Sequence, residues 1–182
     1  MALRILLTSF QTWLPHHKSN SSDDLLMEIS QLIDAEVTVY TPPKLTLLRQ
    51  LPVDVDLASS CAIAKINELQ PDIIICCGMA ESRANLTVES HATRGDTVIK
   101  TPVDLEKLVT GLAETEISHD AGKFVCEGLY YSVLDYLRKN KLNSSCIFLH
   151  VPILTLNNLS IVLGDFHLII QKMASLKVPS GS

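Results

Sequence analysis

Pro71-Asp72-Ile73-Ile74-Ile75-Cys76-Cys77-Gly78 is the stretch that decides the fold class. The five residues Ile73–Cys77 before the glycine carry no polar alternation, so a strand formed here is apolar on both faces and must be covered on both. Pro71-Asp72 also ends the helical pattern that precedes it, which spans Asp56 to Gln70 and offers Leu57, Cys61, Ile63, Ala64 and Leu69 to a core. Working outward, the same rhythm recurs. Arg4–Phe10 reads as an opening buried strand, and Ser22-Asp23-Asp24 caps a helix over Leu25–Ile33. Glu36–Tyr40 reads as a strand stopped by Pro42-Pro43. Asn85–Val88 is a short strand, and Arg94–Pro102 an exposed hairpin or loop turning at Gly95-Asp96. A helix from Phe124 to Lys139, a buried strand over Ser145–Val151, a last helix from Asn157 or Asn158 to Leu176, and a tail over Val178–Ser182 complete the chain. Alternating strands and helices predict one α/β domain over residues 1–182: an α/β/α sandwich with a mostly parallel central sheet. In such sheets ligands bind at the carboxyl ends of the strands, which here carry Phe10, Gly78 and His150.

Composition narrows the function classes. The chain has 182 residues, 47% hydrophobic and 19% charged, with a net charge of −5. That is too apolar for a disordered chain. No Lys/Arg run exceeds two residues, so a nucleic-acid footprint is not expected. The N-terminal apolar run is too short for a secretory leader, and no run of 18 apolar residues predicts a membrane span. The expected setting is therefore cytoplasmic, where the five cysteines stay reduced and serve either packing or chemistry. Cys61, Cys76, Cys77 and Cys146 lie in apolar periodic segments and read as packing. The vicinal Cys76-Cys77 pair points to opposite faces of its strand, which argues against a redox pair. His16-His17 has no third ligand at a recognisable spacing, so no metal and no cofactor are expected.

Cys126 is different. It follows the turn Asp120-Ala121-Gly122 in the first turn of a helix, where free backbone N–H groups and the helix dipole favour thiolate over thiol. His150 ends the next strand, and Glu89 follows the strand that ends at Gly78. Together they can form a nucleophile, its base, and the carboxylate that orients the base.

At these residues the sequence resembles the pyroglutamyl peptidase I (pyrrolidone-carboxylate peptidase) family. Asp120-Ala121-Gly122-Lys123-Phe124-Val125-Cys126-Glu127 is similar to its active-site cysteine block, and Ile5–Trp13 to its opening strand and aromatic loop. Pro71–Arg83 is similar to its Pro-Asp, apolar strand, Gly-Gln-Ala-x-x-Arg block; Leu86–Ala92 and Cys146–Pro152 match the segments carrying the catalytic glutamate and histidine. The resemblance implies a phosphorylase/hydrolase-like fold with Cys126 as nucleophile, His150 as general base and then acid, and Glu89 as the residue that orients it. It implies a lactam pocket formed by Phe10, Trp13, Phe124 and Val125, with peptides or small acyl amides as substrates and a possible homo-oligomer. Departures accompany it. Ser9 and Leu14-Pro15 replace three glycines, Met79 replaces a glutamine, and Glu127 stands where an asparagine is usual. Only 36 residues separate Glu89 from Cys126, fewer than in the family, and Arg94 is the residue available to match an arginine of the shortened region. The expected function is a cysteine peptidase removing N-terminal pyroglutamate through an acyl-enzyme. The alternative is a binding protein that keeps the fold without hydrolysis.

Overall fold

The computed structural model describes residues 2–35 and 43–177. The strand expected at Glu36–Tyr40 and the tail at Val178–Ser182 lie outside them. In chain order the elements are β1 (Arg4–Phe10), α1 (Ser21–Ala35), β2 (Lys44–Leu51), α2 (Val55–Leu69), β3 (Ile73–Met79), β4 (Thr87–Glu89), β5 (His91–Arg94), β6 (Thr97–Lys100), α3 (Leu105–Val109), β7 (Glu116–Ser118), α4 (Val125–Lys139), β8 (Ser145–Val151) and α5 (Leu159–Lys177). Six strands form one sheet in the order β2-β1-β3-β8-β4-β7, and β5-β6 is a separate antiparallel hairpin. The pairs β2-β1, β1-β3, β3-β8 and β4-β7 are parallel; β4 against β8 is the antiparallel exception. The mostly parallel sandwich expected from the sequence is therefore what the chain forms.

The period of two along each strand sends alternate residues into two cores. Ile5, Leu7, Ile73, Ile75, Cys77, Ile147 and Leu149 pack with α1 and α5 on one face. Leu6, Ile74, Cys76, Cys146 and Phe148 pack with α2 and α4 on the other. Cys76 and Cys77 thus point to opposite faces, as their adjacency requires. Helix α5 is long and apolar enough to cross a membrane by composition. Here it buries Val162, Asp165, Phe166, Ile169, Ile170 and Met173 against the sheet, as a core helix does.

Three features depart from the sequence reading. First, the edge strand is Lys44–Leu51, where charged residues and a polar partner every few positions hid the pattern. Second, α3 and β7 span only five and three residues, too few for periodicity to register. Third, α2 is rotated from the expected face: Cys61 and Leu57 are exposed, and Ala58, Ser59, Ala62 and Ile66 are buried. Small residues at four-residue spacing let α2 approach the sheet and α4, so size rather than hydropathy sets the contact. Cys61 accordingly is not a packing residue.

Candidate active site

The carboxyl ends of β1, β3 and β8 and the start of α4 open into one cavity of about 680 Å³. Its walls include Phe10, Trp13, Met79, Phe124, Val125, Cys126 and His150. Register explains the convergence. His150 lies opposite Gly78 of β3 on one side and Thr87 of β4 on the other, so Thr87, Glu89, Phe148 and His150 share the face that α4 covers.

Glu89 is fully buried behind His150, with Oε1 2.7 Å from His150 Nδ1. Burial pushes the Glu89 carboxyl up, but the hydrogen bond with His150 and the charge of Arg83 outweigh it, so the group sits below the usual carboxylate range. An ionised carboxylate only accepts, so Nδ1 carries the proton and the Nε2 lone pair is left for chemistry. The Tyr130 hydroxyl donates to the Glu89 backbone carbonyl at 3.1 Å, and Tyr130 and Phe148 stack beneath the histidine with ring centroids 5.6 Å apart.

Cys126 enters from the opposite wall. Ser118 and Asp120 shape the preceding turn: the Asp120 amide donates to Ser118 Oγ at 3.2 Å, and the Gly122 amide to Asp120 Oδ1 at 2.9 Å. Gly122 has φ +86°, a left-handed conformation that favours glycine. Phe124 then caps α4 in an extended conformation without a side-chain cap, so the first-turn N–H groups beside Cys126 remain free of side-chain acceptors from the cap. The thiol itself is pressed against the sheet, where a β-carbon on Gly78 would fall 2.5 Å from Sγ. Burial, and then the negative charge of Glu89, push the Cys126 thiol up to about 12. Desolvation and the Glu89 charge therefore oppose the thiolate that the helix start favours.

The pocket residues sort into floor and rim. Phe10 is buried at the floor, and Val125 is half-buried beside Cys126. Trp13 and Phe124 are 51% and 73% exposed and face each other at a centroid distance of 6.1 Å. The rim's aromatic pair is therefore Trp13 with Phe124, and Phe10 lies below it. Met79 lines the same cavity, and its sulfur accepts the Ser21 amide at 3.5 Å.

Arg83 is the functional residue the sequence reading quoted without a role. One guanidinium lies 3.7 Å from Glu89 Oε1 and donates to Ser118 Oγ at 3.1 Å and the Asp120 carbonyl at 2.8 Å. It thereby ties the buried acid to the turn that delivers the cysteine. Its fixed offset from Gly78 was the available signal. Arg94, by contrast, donates to Ser132 Oγ at 2.8 Å and stacks over Tyr131 at 4.5 Å, outside the cavity lining. Glu127 accepts the Thr93 amide at 3.1 Å and so pins the β5-β6 hairpin to α4.

A parallel-rich α/β/α sandwich with Cys126 and His150 lining one cavity at its strand ends, and Glu89 behind His150, holds the residue types that a cysteine hydrolase uses. Relatives narrow it further. The chain is 28% identical to pyrrolidone-carboxylate peptidase 2 of Caldanaerobacter subterraneus subsp. tengcongensis, over 90% of both chains. It is also 28% identical to the pyrrolidone-carboxylate peptidase of Thermoanaerobacter sp., over 90% of this chain and 92% of that one. Among solved structures, pyroglutamyl peptidase I from Bacillus amyloliquefaciens superposes with a TM-score of 0.80 at 20% identity, covering 96% of each chain. A mutant pyrrolidone carboxyl peptidase from Pyrococcus furiosus superposes at 0.81 and 16% identity, over 97% of this chain and all of that one. No protein-family model matches the sequence. The chain is thus similar over nearly its whole length to pyrrolidone-carboxylate peptidases and shares the fold of the pyroglutamyl peptidase I structures.

Proposed function

We propose that the protein is a cysteine peptidase that removes an N-terminal pyroglutamyl residue from peptides through an acyl-enzyme, with Cys126, His150 and Glu89 as its catalytic residues. The observation that carries this reading is the 2.7 Å Glu89–His150 contact behind a cavity that also holds Cys126. In this reading the activation of the thiol, which burial and Glu89 oppose, is coupled to attack. His150 Nε2 takes the Sγ proton as sulfur bonds to the carbonyl carbon, and the carbonyl oxygen becomes an oxyanion held by first-turn N–H groups of α4. The tetrahedral species collapses when His150 returns the proton to the departing amine and the C–N bond breaks, leaving a thioester. Water, deprotonated by His150, then attacks the thioester carbon; the acid leaves and the thiol is restored. Glu89 keeps the ring in one tautomer and stabilises the imidazolium formed in each half-reaction.

An uncharged five-membered lactam suits the aromatic rim of Trp13 and Phe124 over the Phe10 floor. The names of the relatives support that acyl group, and the near-complete coverage of their length supports a comparable domain. A cytoplasmic setting and self-association are part of the reading. All five cysteines are free thiols, and Ile153, Leu156, Leu168 and Leu176 expose apolar surface near α5. Light scattering on the purified protein tests the association.

The decisive experiment incubates purified protein with a fluorogenic pyroglutamyl amide, with Cys126→Ala as control, and seeks the thioester by intact mass after acid quench. Turnover lost in Cys126→Ala is expected. Tight binding of the substrate with no release from the wild type would instead establish a binding protein.

A further inference from the structure

The two adjacent histidines of the opening loop acquire in three dimensions what they lack in sequence, a third ligand. The Leu14–His17 turn, closed by the His17 amide donating to the Leu14 carbonyl at 3.0 Å, carries both rings to the segment after β3. There His16 Nε2 lies 3.0 Å from Glu81 Oε1, and His17 Nε2 contacts the same oxygen. The imidazoles lean together with centroids 4.2 Å apart. The three donor atoms all lie within 4.8 Å of one another. Tetrahedral coordination at zinc–nitrogen and zinc–oxygen lengths of about 2.0–2.2 Å needs donors about 3.4 Å apart, and His16 Nε2 and Glu81 Oε1 at 3.0 Å are near that spacing.

His17 is the enclosed member of the trio, since the His16 and Glu81 side chains are 64% and 43% exposed. The His17 side chain is only 8% exposed, and its Nδ1 is enclosed without a hydrogen-bond partner. Two imidazoles and one carboxylate are the donors of borderline transition metals, and a hard cation such as magnesium prefers oxygen alone.

We propose that His16, His17 and Glu81 form a three-ligand site for zinc or a similar first-row divalent cation at the wall of the active-site cavity. His17 and Glu81 line the same cavity as Cys126. A bound ion keeps a coordination position for water and places two positive charges beside the entering substrate. The site stands on its own donors and does not depend on the peptidase reading.

The test is calorimetric titration of the full chain with zinc at pH 7.5, repeated with cobalt(II) to read ligand type from the visible spectrum. Cys126→Ala removes the competing thiol and is expected to bind one zinc, with a cobalt spectrum free of sulfur charge transfer. In that background His16→Ala and Glu81→Gln should each weaken zinc by more than the about tenfold that outer-shell changes cost. Magnesium in excess should not displace the zinc. The proposal is overturned if Cys126→Ala no longer binds zinc, if either ligand variant binds it unchanged, or if magnesium competes.

Discussion

Cys126 Sγ occupies the space that a side chain on Gly78 would need. A β-carbon there would meet Sγ at 2.5 Å and the Phe148 ring at 3.0 Å. The backbone of β3 is therefore one wall of the nucleophile's seat, and Phe148 is held from moving by Tyr130 beneath it. Gly78→Ala should leave the fold intact, since neither neighbour is backbone, yet turn Sγ away from His150. Misplacement by about 1 Å costs about 10²-fold, so we expect a loss of that order in kcat. Thermal unfolding within a few degrees of wild type would show that the loss is local; unchanged kcat would place the working thiol elsewhere.

Glu89 has two opposed effects, and one substitution separates them. Glu89→Gln replaces the acceptor-only carboxylate by an amide that can also donate, so the His150 tautomer is no longer fixed and kcat on a pyroglutamyl amide should fall at least about 10²-fold. The same change removes a negative charge that raises the Cys126 thiol. Iodoacetamide labelling of wild-type Cys126 should rise only above the ordinary thiol value of about 8.5, and its midpoint should move to lower pH in Glu89→Gln. A midpoint that moves up instead would mean that Glu89 sustains a preformed thiolate–imidazolium pair.

Trp13 and Phe124 expose large aromatic faces around the cavity mouth. Trp13→Ala should raise KM for a pyroglutamyl amide about 3- to 30-fold and change kcat little, because ring contact of about 0.5–1.5 kcal/mol plus lost area acts on binding. Steady-state kinetics separates the two constants. An equal loss in kcat would assign Trp13 to the reacting geometry instead.

Asp165 staples α5 to the loop before β7. Its carboxylate accepts the Ala113 amide at 2.7 Å, the Glu114 amide at 3.0 Å and the Thr115 hydroxyl at 2.7 Å. Asp165→Ala leaves those donors without partners and should cost about 2–4 kcal/mol in denaturant unfolding. Burial pushes the Asp165 carboxyl up, but these hydrogen bonds outweigh it, and the group titrates below its ordinary range. Its contribution is therefore present above the unfolded value of about 3.9 and is lost as pH falls through the lower folded value. Wild type and variant should converge in stability in strong acid.

The buried thiols set the alkaline side. Cys77, Cys126 and Cys146 are all pushed up by burial. A raised thiol stabilises the fold fully below about pH 8.5 and loses that contribution as pH rises toward its folded value. Unfolding free energy should decline steadily above pH 8.5, and Cys126→Ala should flatten part of the decline. A flat wild-type profile up to pH 10.5 would contradict the burial of these groups.

How much of this was legible in the chain itself follows from what each feature depends on. The five apolar residues from Ile73 to Cys77 and their counterparts at Arg4–Phe10 and Ser145–Val151 determined the covered parallel sheet, because a backbone apolar on both sides has few other homes. The candidate triad was legible too, since Cys126 follows a glycine turn and His150 ends a strand. Tertiary structure alone decided the rest. The face of α2, the pairing of Trp13 with Phe124 rather than Phe10, the bridge of Arg83 and the meeting of His16-His17 with Glu81 all join residues from separate segments. Such contacts depend on register and helix rotation, which periodicity leaves free. Cys126 shows the same division: the sequence places it at a helix start that favours thiolate, and the packing against Gly78, with Glu89 nearby, supplies the desolvation and charge that oppose it.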